Sequence, residues 1–520
     1  MKIIQLKEKF SLSTTKSYLI FLFILLTIKA IWAFYEISLG YISLDPDEAQ
    51  YWTWSQNLDF GYYSKPVGIA LQIWLGCKFF GDTELGVRSM AILISMLSSL
   101  ALFYAAHKAK LSLKICFWSA VILAFSPIGM MGTFAATTDG GFILFWILAL
   151  VPLFTALENK ESPNYLLTAL FILCGALFKW PIYLLWIPIG IVCIFNKRFY
   201  NKALLSGVAL SFAGLIPSII WNSAHNWATF RHTFTQTTTT ASKGNFLDFF
   251  GAQFGVLSPI FFILLLLGLL EILRRKKEVR PSLLFSAFTT TLILGAFIAL
   301  SFTKKIQANW ALYAYPTSTF VIAWYATEVI TKGLSWLYRG IILSLFIVFT
   351  AISIPFFQAK SILPSKILPY KINPFRHSIG WSNLQKELNL LDYKSGENFL
   401  FSDTYQLASL LSFYGPEKKR QYFFNTKKRR QNQFCFWPSM AEEKLGQTGY
   451  YVWSKNSKDF LSDVDNEVKI VQNDLSPYFE QIELVKVVPL FRAYNTVVKG
   501  ALIFKCSNYN GKSPNKTNTY

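Results

Sequence analysis

A polytopic α-helical membrane protein of about eleven transmembrane helices, followed by a C-terminal soluble α/β domain, is the fold class the sequence predicts. Three observations predict it. Hydrophobic residues make up 53% of the 520 and charged residues only 15%, against roughly 45–50% and 25% in soluble globular chains. The apolar residues gather into long segments with the charges in short clusters between them, and after about residue 358 the long apolar runs stop. Aromatics at 17% suit lipid-facing helices and interfacial belts. The net charge of +21 reads as the Lys and Arg excess of cytoplasmic loops rather than as a nucleic-acid footprint. Collagen-like, disordered and disulfide-scaffold classes are excluded by the same composition.

In chain order, apolar segments approaching the roughly 20 residues that cross a bilayer begin near residues 17, 85, 113, 139, 165, 181, 203, 251, 282, 309 and 340. Lys2, Lys7, Lys9 and Lys16 precede the first and place the N-terminus in the cytoplasm. That first segment is too long for a signal peptide, has no small-residue cleavage site after it, and reads as a retained anchor. Lys29 within it reads as a cation that snorkels to the interface. Every second loop is then basic: Lys108, Lys110 and Lys114; Lys160; Lys197, Arg198 and Lys202; Arg274, Arg275, Lys276, Lys277 and Arg280; Lys332 and Arg339. The odd count puts the tail on the outer face. Residues 1–357 form the membrane domain, with outer loop 39–84, and residues 358–520 the tail domain. Within the tail, strands are predicted at Phe399–Ser402, Tyr422–Asn425, Tyr450–Trp453 and Val485–Leu490, with a helix over Tyr405–Tyr414.

The outer segments hold the polar residues that carry chemistry. Asp45, Asp47 and Glu48 surround Pro46 directly after the first span. Carboxylates there can act as a general base, bind a divalent ion, or accept hydrogen bonds from a sugar; they also suit a first helical turn, and Asp45 reads mostly as a cap. Tyr51, Trp52 and Trp54 read as interfacial anchors. Lys65, after Tyr62 and Tyr63, breaks the inside-positive bias and invites a phosphate. Asp139 opens another span with no basic residue near it in sequence. His225 and Arg231 lie in one further outer loop, Lys304 and Asn309 in another, beside aromatic and amide groups that suit a sugar phosphate. Together these residues fit a lipid-linked sugar: tail in the bilayer, phosphate on Lys or Arg, sugar on carboxylates. The basic run Lys418–Arg420 and Lys427–Arg430, with Tyr422, Phe423 and Phe424 between, falls outside the cytoplasm and suits an anionic glycolipid or membrane surface rather than nucleic acid. The six Cys show no ligand spacing, and Cys435 and Cys506 are the pair a bridge would use in an oxidising compartment. No dedicated metal site is expected; a divalent cation is the one cofactor the acids could take.

The motifs, taken in order, are Pro46-Asp47-Glu48-Ala49, Gly61-Tyr62-Tyr63, Lys65-Pro66, Phe80-Gly81-Asp82 through Arg88, Thr138-Asp139, Trp221-Asn222, His225, Trp227 and Ala308-Asn309-Trp310. In the tail, Tyr405-Gln406-Leu407-Ala408-Ser409, Phe413-Tyr414 and Phe436-Trp437-Pro438 follow. This series resembles the bacterial branch of the protein-mannosyltransferase superfamily, glycosyltransferase family 39/83-like membrane enzymes of the GT-C fold that include the lipid A aminoarabinose transferases. The resemblance implies an inverting transferase that moves a sugar from a polyprenyl (undecaprenyl) phosphate donor to lipid A or a related envelope glycolipid. An amino sugar is one candidate for that sugar. The enzyme would sit in a bacterial inner membrane, its site and tail domain periplasmic. It further implies Asp47, Asp139 and Glu48 as catalytic acids, and Lys65, Tyr62, Tyr63, His225, Arg231, Lys304 and Asn309 as donor-binding residues. Gln50 stands where aminoarabinose transferases carry an Arg, which separates this chain from their sugar or acceptor geometry. A protein hydroxyl as acceptor is the alternative within the class. A lipid-linked-sugar flippase is the alternative outside it, and would place polar residues near the bilayer midplane.

Overall fold

The computed structural model describes residues 14–238 and 244–514. Lys2, Lys7 and Lys9 lie outside the described residues. Among the described residues, six helices are long and apolar enough to cross a membrane: Thr15–Ser38, Glu84–Lys108, Thr138–Asn159, Lys202–Ala224, Pro281–Ser301 and Gly333–Ala359. Two bent pairs raise the number to eight, Leu113–Phe125 with Pro127–Phe134 at 56° and Phe246–Leu257 with Pro259–Arg274 at 105°. Each break falls at a Ser-Pro step, because a proline ring has no N–H to continue the helical ladder. Ser126 repairs the first break, its hydroxyl meeting the Leu123 carbonyl at 3.4 Å and accepting from the Gly129 amide at 3.3 Å. Of the eleven expected segments, those near 165, 181 and 309 are shorter, occupying Tyr165–Ala176, Trp180–Phe195 and the run from Ala308 to Trp324.

The chain forms two compact units. The first comprises Met1–Phe34, Ala91–Pro217 and Thr238–Val348. Its core is helix against helix, with Phe154 set edge-on against both Phe285 and Phe320. Lys29 does not snorkel: it is 4% exposed and its ammonium donates to Ser95 Oγ at 3.0 Å, the Ala124 carbonyl at 2.8 Å and the Gly129 carbonyl at 3.0 Å. The broken helix frees carbonyls that a buried cation can take, and this satisfies both partners.

The second unit comprises Tyr35–Met90, Ser218–Thr237 and Phe349–Tyr520. Residues 35–90 and 218–237 thus cluster with the tail. The tail carries a five-stranded sheet of order β2-β1-β3-β5-β4, with β1 Asn398–Ser402, β2 Tyr422–Phe423, β3 Thr448–Asn456, β4 Phe479–Ala493 and β5 Thr496–Tyr509. β1 runs parallel to β2 and β3, while β5 runs antiparallel to β3 and β4. β4 and β5 meet through Tyr494 and Asn495, both at positive φ (54° and 62°), as a two-residue hairpin turn requires. The helix Tyr405–Tyr414 packs on the helix Pro46–Ser55: Trp52 meets Phe413 edge-on at 5.1 Å, and the Leu44 amide donates to the Tyr414 hydroxyl at 2.7 Å. Eight of the ten residues of Pro46–Ser55 are buried, Tyr51, Trp52 and Trp54 among them. Their aromatic faces are consumed by protein contacts, so they do not serve as interfacial anchors. Cys506 lies inside the sheet core and Cys435 is exposed, and no disulfide joins the two.

Candidate active site

The helix Pro46–Ser55 begins with a capping box. Asp45 accepts from the Asp47 amide at 3.1 Å, and the Asp45 amide donates to Glu48 Oε2 at 3.0 Å. Glu48, expected among the catalytic acids, is spent inside the protein. Arg88 grips it bidentately, Nε to Oε1 at 2.9 Å and Nη2 to Oε2 at 2.6 Å, with both side chains buried. The same guanidinium donates to the carbonyls of Ile42 and Ser43 at 2.9 and 3.0 Å. Glu48 and Arg88 thus tie the chain entering this helix to the start of the next span.

Asp47, one residue earlier, is exposed, and its carboxylate accepts no hydrogen bond from the described residues. Desolvation by the protein around it is nevertheless the largest influence on its titration and raises its pKa above the ordinary carboxylate value; Asp45 adds to this, while Lys65 and Arg430 pull it down. Asp47 thus stands exposed at the start of its helix, with Lys65 and Arg430 the cations its carboxylate feels. Lys65 is delivered there by a tight turn: Gly61 bridges to Pro66, and the Tyr62 amide donates to the Lys65 carbonyl at 3.1 Å. A Cβ on Gly61 would stand 3.2 Å from Trp221 Cβ, tighter than an ordinary contact.

Tyr62 and His225, expected to bind donor, each stack on a tryptophan. Tyr62 stacks on Trp54 at 4.6 Å, and its hydroxyl donates toward the carbonyls of Trp54 at 3.1 Å and Asn57 at 3.2 Å. His225 stacks on Trp221 at 4.1 Å, with Nδ1 2.7 Å from the Trp221 carbonyl. Tyr63 is buried against His232 at 4.7 Å and Phe436 at 6.1 Å, its amide donating to Gln433 Oε1 at 2.7 Å. Arg231 is exposed on the helix Ala228–Thr238.

Asp139 belongs to the first unit and is not the lone acid its sequence neighbours suggest. Lys179 pairs with it at 2.6 Å, and Asn309 Nδ2 approaches its other oxygen at 3.5 Å. The helices Thr138–Asn159 and Tyr165–Ala176 run side by side and return Lys179, forty residues on, to the turn that Asp139 opens. Asn309 therefore falls beside an expected acid, whereas Lys304, in the same unit, is exposed.

Lys179 and His232 escaped sequence reasoning, and Tyr405 was read only as part of a motif. Lys179 carries the same signal as Lys65, a cation on an outer turn. Arg430 was visible as one member of a basic run, but most of that run is spent internally. Lys419 pairs with Glu417 at 2.6 Å, Arg420 with Glu443 at 2.9 Å, Arg429 with Asp403 at 3.1 Å, and Lys427 with Asp474. Among the described residues, no three His, Cys, Asp or Glu side chains gather as a metal-ligand group.

The helical membrane unit and the sheet-bearing tail together make the GT-C fold of integral-membrane glycosyltransferases, and residues 64–221 match the family model described as dolichyl-phosphate-mannose-protein mannosyltransferase. Among individual proteins, the chain is 28% identical over 379 residues to the lipid A galacturonosyltransferase RgtD of Rhizobium johnstonii, covering 71% of this chain and 76% of that one. The crystal structure of ArnT from Cupriavidus metallidurans bound to undecaprenyl phosphate superposes with a TM-score of 0.63 at 13% identity, covering 92% of this chain and 97% of that chain. Its apo form superposes equally well, at 0.63. The resemblance read from the motifs is borne out, and the chain is an integral membrane protein.

Proposed function

We propose that this protein is an inverting glycosyltransferase that moves a sugar from a polyprenyl-phosphate donor to lipid A at the periplasmic face of a bacterial inner membrane. RgtD acts on lipid A with galacturonate, and we extend a uronic acid to this chain in place of an amino sugar. One observation carries the site: Asp47, an exposed carboxylate that accepts no hydrogen bond from the described residues, feels the charges of Lys65 and Arg430. In the reaction an acceptor oxygen attacks the anomeric carbon, a new C–O bond forms, and the bond to the donor phosphate breaks with its electron pair leaving on polyprenyl phosphate. Lys65 stabilises that phosphate by charge placed in advance. With a hydroxyl acceptor Asp47 takes the proton; with an ionised lipid A phosphate no base is needed and Asp47 orients the sugar. Asp139, held by Lys179 and Asn309, is assigned as a second functional acid. The eleven-span count, the cytoplasmic N-terminus and a periplasmic domain over 358–520 are supported by the alternation of basic loops.

Mass spectrometry of lipid A from cells with the gene, without it, and carrying Asp47→Asn or Asp139→Asn tests this. A uronic acid increment present only in the unmodified strain is expected. Unchanged lipid A in all strains, with the protein shown to be present, overturns the lipid A assignment. The matched mannosyltransferase model favours one other acceptor, a protein hydroxyl, and loss of a glycoprotein signal from the same deletion strain would identify it.

A further inference from the structure

We infer that Arg430 is a specificity-determining residue of this site, its guanidinium recognising the ring carboxylate of the transferred sugar. This rests on the uronosyltransferase reading above.

The loop that carries Arg430 is built to hold it. Asn425 closes the loop on itself, its side-chain amide donating to the Arg429 carbonyl at 2.8 Å and its Oδ1 accepting from the Arg429 amide at 2.7 Å. Lys428 turns the backbone through a left-handed conformation at φ 53°, and Arg429 is fastened to Asp403. Beyond Arg430, Gln433 is fastened to the Tyr63 amide. Arg430 itself is half-buried. Its Nη1 lies 3.4 Å from each ring nitrogen of His232, and its guanidinium carbon lies 6.0 Å from the centre of the Tyr405 ring. His232 is buried, and burial first, then the charges of Arg430 and Lys65, push its pKa down to about 4, so the imidazole facing Arg430 is neutral.

Arg430 is thus flanked by a neutral ring and a phenol. Its neighbours Lys427 and Arg429 each have a carboxylate partner, whereas among the described residues Arg430 forms no ion pair. Asp47 is near enough for each charge to feel the other but makes no ion pair with it. A planar, half-buried fork of donors, held by its own loop and without an ion-pair partner among the described residues, is a receptor for a planar anion. Lys65, a point charge on a flexible stem, serves the phosphate. The anion left for the fork is a carboxylate on the sugar, with a phosphate on the acceptor as the rival source.

The test uses the full-length protein in detergent with lipid A as acceptor. Three polyprenyl-phosphate donors are compared, carrying galacturonate, galactose and a cationic amino sugar, with wild type, Arg430→Gln, Arg430→Lys and Asp47→Asn. Losing a charge-assisted hydrogen bond predicts a fall in kcat/KM for the galacturonate donor of about 10- to 100-fold in Arg430→Gln. The fall should lie mainly in KM, with partial recovery in Arg430→Lys and less than about threefold change for galactose. Should Arg430→Gln fail to fold, the donor preference of Arg430→Lys decides. An equal fall on every donor, or a fall that disappears with dephosphorylated lipid A, overturns the inference and assigns Arg430 to a phosphate. Wild type that transfers galactose or the amino sugar but not galacturonate overturns it while leaving the transferase reading intact. Wild type that transfers none of the three overturns both.

Discussion

Asp47 and Glu48 are neighbours with the same chemistry and opposite surroundings. Asp47→Asn should lower kcat/KM by about 10²- to 10⁴-fold and leave the melting temperature almost unchanged, because no protein hydrogen bond is lost. Glu48→Gln should instead destabilise by about 3–5 kcal/mol, since it leaves the buried Arg88 charge unmatched; thermal melts of the purified variants compare the two. Which acid is which was not legible locally, because Arg88 stands forty residues away. The pH dependence follows from the same surroundings. Asp47 works ionised, and its raised pKa puts the acid limb of kcat/KM above the ordinary carboxylate range. Asp45→Asn should move that limb down by removing a repelling charge, and Arg430→Gln should move it up. His232 acts on stability. Between its ordinary 6.5 and about 4 the unfolded chain takes up a proton that the folded chain refuses, so stability falls as pH falls through that window. His232→Asn should flatten the fall, read as melting temperature against pH.

At the level of elements, the legible pieces were those whose pattern is local. The helix Tyr405–Tyr414 was expected at the residues it occupies, since Thr404 caps it and an apolar run fills it. β5 was missed because Lys499 and Gly500 interrupt its apolar pattern. Both interruptions have tertiary reasons. Gly500 lies under the Phe460 ring, with no room for a Cβ. Lys499 is 2% exposed, its ammonium 3.9 Å from the Trp381 ring centre and donating to the carbonyls of Arg376 at 3.2 Å, His377 at 3.3 Å and Ile379 at 2.7 Å. It thereby fixes the segment from which Ser378 donates to Asp45 at 3.0 Å. Lys499→Met strips the ammonium from the Arg376 and Ile379 carbonyls, while His377 keeps its bond from the Trp381 indole at 2.7 Å, and should cost on the order of 3 kcal/mol, measured by denaturant unfolding of the full chain.

For the whole molecule, the alternation of basic loops makes a prediction that labelling can check. A cysteine replacing Lys110 should react with a membrane-impermeant reagent only after the cells are opened, and one replacing Lys428 should react in spheroplasts. Charge patterning is a property of the linear chain and so yields an expectation of sidedness; the clustering of residues 35–90 and 218–237 with the tail was not legible, because packing between distant segments leaves no periodic trace. Lys29 adds an order of events in time. A lysine near the middle of an apolar helix costs about 2.5–3.5 kcal/mol on insertion, and the groups that receive it, Ser95, Ala124 and Gly129, are translated roughly seventy to a hundred residues later. The ribosome therefore delivers the first helix before its counterpart exists, and that helix settles only when the broken helix arrives to accept it.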